Sequence, residues 1–194
     1  MPSLIDDLAV RARTVGLAAA MSERQFANPP LTGSQIAAAE ANLGFPLPSV
    51  LRDIYLHIGD GGFGPGYGLF RLNGGPVGPY GFHDAGIVDL YRSFRQQRCA
   101  LGDDWAERLL PICHWGCTYY SYVDCALASA PVMSLDENSH GYGPWGCAIA
   151  LHDTSLESWL RRWLAGENLW KSFGTCGEPI FWGEIVEARA QGAT

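Results

Sequence analysis

The sequence predicts an α+β fold in which an antiparallel sheet is flanked by N-terminal and C-terminal helices. Three observations carry this expectation: apolar residues recur at helical spacing before Gly59, short alternating runs follow between Leu109 and Leu151, and helical spacing returns at Leu156. The connections between the short runs are brief and contain glycine. That suits antiparallel strands, because parallel neighbours need crossovers of about a dozen residues or more. The 194 residues read as a single domain, 1–194, with no internal repeat and no linker long enough to divide it.

Leu4 to about Arg24 reads as the first helix, with Leu4, Leu8 and Val15 at near-helical spacing and Asn28-Pro29-Pro30 as its stop. Thr32-Gly33-Ser34-Gln35 fits a capping box, in which the threonine hydroxyl takes a backbone N–H and the glutamine amide reaches back. Ile36, Ala39 and Leu43 then share a face, and Gly44 is placed to end that helix in a left-handed conformation. A third helix is expected over Ser49 to Ile58, bracketed by Pro48 and Gly59, with Val50, Leu51, Ile54, Tyr55 and Ile58 as its apolar stripe. From Gly59 to Gly86, 11 of 28 residues are glycine, which predicts a loop system around a short strand, Gly68 to Leu72. The next helix, Ile87 to about Arg98, turns Ile87, Leu90, Tyr91 and Phe94 inward and sets Arg92, Arg95 and Arg98 in a stripe that reads as a solvated face or a contact for an acidic partner.

Strands are expected at Leu109 to Ile112, Cys117 to Asp124, Pro131 to Leu135 and Cys147 to Leu151. Thr154-Ser155-Leu156-Glu157 reads as a second capping box, opening a helix whose Leu156, Trp159, Leu160, Trp163 and Leu164 form one apolar face up to Gly166. A last helix is predicted from Pro179 to about Ala190.

Composition excludes several classes of protein. Hydrophobic residues make up 47% and charged ones 17%, too apolar a mixture for a disordered chain. The net charge of −7 argues against a nucleic-acid ligand, since duplex binding draws on clustered Lys and Arg. No stretch approaches the ~20 consecutive apolar residues of a membrane span; the longest near-candidate, Val15 to Met21, is seven residues and contains Gly16. Asp6 and Asp7 offset Arg11 and Arg13 where a secretory leader would be positive, so the expected location is the cytoplasm and the six cysteines are expected to be reduced.

No motif carries a complete chemistry. Gly59-Asp60-Gly61-Gly62-Phe63-Gly64 matches a dinucleotide fingerprint as a string, yet a helix precedes it and Pro65 follows, so phosphates would find no helix N-terminus. Its ordinary explanation is a helix stop feeding a tight turn where backbone approaches backbone. Cys113-His114-Trp115-Gly116-Cys117, with Cys125 further on, lacks the paired spacing of a zinc site. If Cys117 and Cys125 lie on one strand, they share parity and face the core together. A thiol enzyme using Cys113 or Cys117 with His114 or His140 stays open as an alternative; His83, His140 and His152 are otherwise expected on loops or edges. The carboxylate pairs Asp6/Asp7, Asp103/Asp104 and Asp136/Glu137 sit in no acid–base frame, so no catalytic residue, cofactor or metal is predicted.

One pattern is more informative. The 52 residues from Leu109 to Leu160 hold no Lys or Arg, while Asp124, Asp136, Glu137, Asp153 and Glu157 are interleaved with Trp115, Tyr119, Tyr120, Tyr122, Tyr142 and Trp145. Aromatics beside unneutralised carboxylates suit a basic protein partner; an aromatic core with acidic ends is the competing explanation.

Glu40-Ala41-Asn42-Leu43-Gly44-Phe45-Pro46-Leu47-Pro48, then Leu51, Tyr55 and Gly59-Asp60-Gly61-Gly62-Phe63-Gly64-Pro65-Gly66-Tyr67-Gly68, resemble the opening of the SUKH superfamily, the Smi/Knr-type domain. Leu110-Pro111-Ile112, Trp115-Gly116-Cys117 and Asp124 resemble its second block, and the Trp-containing helix Ser155 to Ala165 is in keeping with it. The resemblance covers about Leu31 to Leu164, leaving 1–30 as a helical extension and a C-terminal helix beyond; the long N-terminal helix and the insert Asn73 to Gly86 depart from the common pattern. It implies an antiparallel sheet flanked by helices and no established catalytic residues. It also implies kinship with bacterial immunity proteins that neutralise polymorphic toxins, often nucleases, or with fungal scaffolds of cell-wall signalling. On that basis Asp60, Asp124, Asp136 and Glu137 are expected as charged contacts to a toxin with a basic surface, and Trp115, Tyr119 and Tyr120 as anchors.

Overall fold

The computed structural model describes residues 3–14, 27–74, 86–99, 107–136 and 148–173. Helices α1 (Leu4–Thr14), α2 (Gly33–Leu43), α3 (Ser49–His57) and α4 (Ile87–Cys99) precede strands β1 (Leu109–Gly116), β2 (Tyr119–Asp124), β3 (Val132–Asp136) and β4 (Ile149–Asp153). Helix α5 (Leu156–Leu164) and a 3-10 turn, Leu169–Ser172, follow. The expected extension of α1 beyond Thr14, the Pro179–Ala190 helix, Asp103, Asp104, Glu137 and His140 lie outside the described residues.

The helix ends obey local chemistry. Thr32 accepts the Gln35 N–H while the Gln35 side chain takes the Thr32 N–H, closing both halves of the box. Gly44 ends α2 with φ 84°. Helix α3 starts after Pro48 and buries Leu51, Ile54 and Tyr55; Val50 and Ile58 of the predicted stripe pack only partly against the core. The α5 box is displaced by one residue: Ser155, not Thr154, is the cap and accepts from Ser158 N–H. Glu157 therefore falls one residue short of the position, held by Ser158, that would complete a box, and it pairs with Arg161 one turn on instead.

The sheet is an antiparallel meander in the order β1-β2-β3-β4. The predicted Gly68–Leu72 strand is only a pair of isolated bridges, Leu69 with Cys113 and Arg71 with Gly86. Phe70 N–H nevertheless donates to Ile112 O and Tyr67 N–H to His114 O, so this segment sits along the outer edge of β1. Positive-φ glycines let it turn that tightly, which is the backbone use expected of the glycine string.

The two faces of the sheet are furnished differently. Tyr120 and Tyr122, two residues apart on β2, meet Phe94 of α4 at 5.2 and 6.2 Å between ring centroids. On the opposite face Ser121, Ser134 and Ala150 are aligned across β2, β3 and β4, and there Trp115 and Trp159 meet edge to face at 6.5 Å. Trp159 is fully buried with Leu156 and Leu160, so α5 is held to the sheet by its apolar stripe. Helix α1 packs against α3 and α5, with the Arg11 guanidinium 4.8 Å from the Trp163 ring.

Candidate functional site

The predicted contact residues separate into buried and accessible groups. Asp60 is 3% exposed: its carboxylate accepts the Leu72 N–H at 2.6 Å and the Arg71 Nε–H at 3.3 Å, which fastens the glycine turn to the chain beyond it. Burial pushes its carboxyl pKa up, and the Leu72 N–H and the Arg71 guanidinium oppose that rise. Asp124 is 1% exposed and accepts the Ala126 N–H, shaping the turn after β2. Tyr120 is 2% exposed and faces α4. These three placements correct the expectation of surface contacts: the two acids are taken up by backbone donors, and the tyrosine is core.

Trp115, Tyr119 and Asp136 remain half-buried, and the structure brings them to one face. Tyr119 lies directly opposite Asp136 in the β2–β3 ladder, so both side chains leave the sheet on the same side. Thr118 Oγ1 donates to Asp136 at 3.3 Å. Two further rings complete the face. Trp170, 44% exposed, stands 5.0 Å from Tyr119 at 87° and 6.1 Å from Trp115. Phe173 stands 5.3 Å from Trp170, 5.6 Å from Tyr119 and 5.9 Å from Trp115. Neither was legible as a site residue; the available signal was an aromatic pair three residues apart just past the Gly166 stop, the spacing of one helical turn.

Polar groups beneath hold this 3-10 turn in place. The Ser172 hydroxyl donates to Leu169 O at 3.0 Å and accepts from Arg162 Nη2 at 3.1 Å. His152 Nε2 lies 3.2 Å from Leu169 O and 3.1 Å from Ser172 Oγ. Arg162 is itself fixed by Asp153 at 3.0 Å and Glu167 at 2.8 Å. His152 does lie on an edge strand, β4, but it is 3% exposed rather than peripheral. Its burial lowers the imidazole pKa to about 4.

The cysteines contradict the shared-parity expectation. Cys117 is exposed in the β1–β2 turn with φ 47°, following Gly116 at φ 105°, so it belongs to no strand; Cys125 is half-buried after β2. Cys113 is wholly buried, and burial raises its thiol pKa to about 12. The His114 Nε2–H donates to the Cys117 carbonyl at 3.0 Å, which occupies that nitrogen with backbone. The expected result of alkylating the native protein at pH 8 is that Cys117 reacts readily. Cys113, with about one part in 10⁴ as thiolate, reacts only after denaturant is added. Peptide mass mapping reads this directly, and fast labelling of Cys113 would contradict it.

Among the described residues no three His, Cys, Asp or Glu side chains converge to hold a metal ion. No helix among them is long and apolar enough to cross a membrane. A model of the SMI1 / KNR4 family (SUKH-1) matches residues 30–145. No curated protein matches the chain significantly.

Proposed function

Because this chain belongs to the SMI1 / KNR4 family (SUKH-1), matched over residues 30–145, we propose that it is a non-enzymatic protein-binding domain and, more specifically, an immunity protein that neutralises a polymorphic toxin. The observation that carries this reading is the partly exposed aromatic face of Trp115, Tyr119, Trp170 and Phe173. Half-exposed Trp and Tyr supply large contact area at little cost in side-chain entropy, and they dominate binding energy where they become desolvated. The acidic balance supports a basic partner such as a nuclease domain, whose phosphate-binding surface an acidic protein can occupy and reach quickly by electrostatic steering.

The direct test is co-expression and co-purification with the product of the adjacent toxin-like gene. Restored growth and a stable complex are expected; unchanged toxicity with no complex would overturn the reading. A complex with a cellular protein instead would favour a regulatory scaffold. In the complex, Trp170→Ala is expected to raise the dissociation constant by about 30-fold or more, the effect of truncating an interface anchor. Its fold should be nearly unchanged, because Trp170 is already 44% exposed.

A further inference from the structure

The aromatic face has a geometry that selects among possible ligands. Trp170 and Phe173 are inclined by only 31° and make one wall, while Tyr119 stands at 87° to Trp170 and 83° to Phe173 and makes another. Asp136 lies directly across the β2–β3 ladder from Tyr119, on the same side of the sheet. Two aromatic walls near a right angle with a carboxylate at the rim match a planar cation. A ring face attracts positive charge, and a carboxylate accepts the N–H groups of a guanidinium. Asp136 already accepts the Thr118 hydroxyl, and a carboxylate has further lone pairs for a guanidinium. Lys171, on the 3-10 turn, is the nearest basic residue in sequence to Trp170.

We propose that this corner receives an arginine side chain of the partner protein, its guanidinium stacked on Trp170 and turned edge-on to the Tyr119 ring, with Asp136 as its counter-charge. Arginine fits better than lysine because its guanidinium is flat, weakly hydrated and able to stack while donating sideways. This rests on the protein-binding reading above and gives it a chemistry: the toxin presents an arginine where it would otherwise meet phosphate.

A titration with short peptides tests the assignment without needing the toxin. The probes are Ac-Gly-Arg-Gly-Arg-Gly-NH2 and its citrulline and lysine counterparts, added to the full chain labelled with nitrogen-15. The Trp170 indole N–H signal, assigned from Trp170→Phe, is expected to move saturably with the arginine peptide. Citrulline, of the same shape without the charge, should bind about five-fold more weakly or less, and Asp136→Asn should weaken the arginine peptide by about five-fold. No saturable shift, or equal binding of the citrulline or lysine peptide, would overturn the proposal. Failure here leaves toxin binding to its own co-purification test. An arginine response in a chain that neutralises no toxin would instead remove the immunity reading and keep the site.

Discussion

Gly61→Ala is expected to be strongly damaging, costing roughly 3 kcal/mol or more and shifting the melting temperature down by about 8 °C or beyond. Two effects combine. Gly61 has φ 67°, which an L side chain adopts at a cost of about 1 kcal/mol. A Cβ there would also stand 2.5 Å from Leu69 O and 2.6 Å from Phe70 O, closer than real contacts allow. Neither carbonyl is free to yield, because Gly62 N–H donates to Leu69 O and the Tyr55 hydroxyl to Phe70 O. Gly44→Ala provides the control: its φ is 84°, but nothing lies within 4 Å of the added Cβ, so only the conformational cost of roughly 1 kcal/mol applies. Equal losses in the two variants, read by denaturant titration, would show that close approach at Gly61 is not the cause.

The second large effect is a loss of stability in acid that runs through His152. Its folded-state pKa of about 4 lies below the ordinary 6.5, so between those values the unfolded chain binds a proton that the folded chain excludes. Stability is therefore fully present above about pH 6.5 and falls as the pH drops toward 4. Each tenfold separation of the two constants is worth about 1.4 kcal/mol, which sets the total at about 3 kcal/mol. The charged groups facing the ring are Arg162, which disfavours the imidazolium, and Asp153, which favours it. Asp60 acts in the opposite sense, because its raised folded pKa makes the folded chain the better proton acceptor. Chemical denaturation at pH 7 and pH 4.5 should show the loss in the native protein and a much flatter profile in His152→Gln, whose amide can still donate to Leu169 O. A variant that loses as much stability as the native chain would place the acid sensitivity elsewhere.

The contrast between these residues explains what a one-dimensional reading can and cannot recover. The Thr32 box, the Gly44 stop and the α5 stripe rest on neighbours within a turn or two, and they stand where the spacing places them. The strands were legible as runs, but not the β1–β2 turn: Cys117 and Thr118 carry no turn signature, and Gly116 alone does not say on which side of it the strand stops. Burial of the acids was invisible for a similar reason. Asp60 looks like any loop carboxylate until the chain returns at Leu72 with an N–H to satisfy it. Trp115, Tyr119 and Asp136 are expected as contacts from their base-free context and lie on one face, whereas Trp170 and Phe173 join that face only because Ser172 is tied to His152 and Arg162.

The meander order of the sheet also governs how the molecule assembles in time. Every strand pairs with its immediate neighbour in the chain, so the ladders close short loops, whose entropy is small and whose contacts form early. Helix α1 is the opposite case. Its packing against α5 joins residues 4–14 to residues 156–164, across nearly the whole described chain. That contact closes a loop spanning most of the described residues and rewards it only after the sheet and α5 are in place. The N-terminal helix is thus a late clasp on a sheet that is locally encoded, and the aromatic face is built from that locally encoded part and the turn that follows α5.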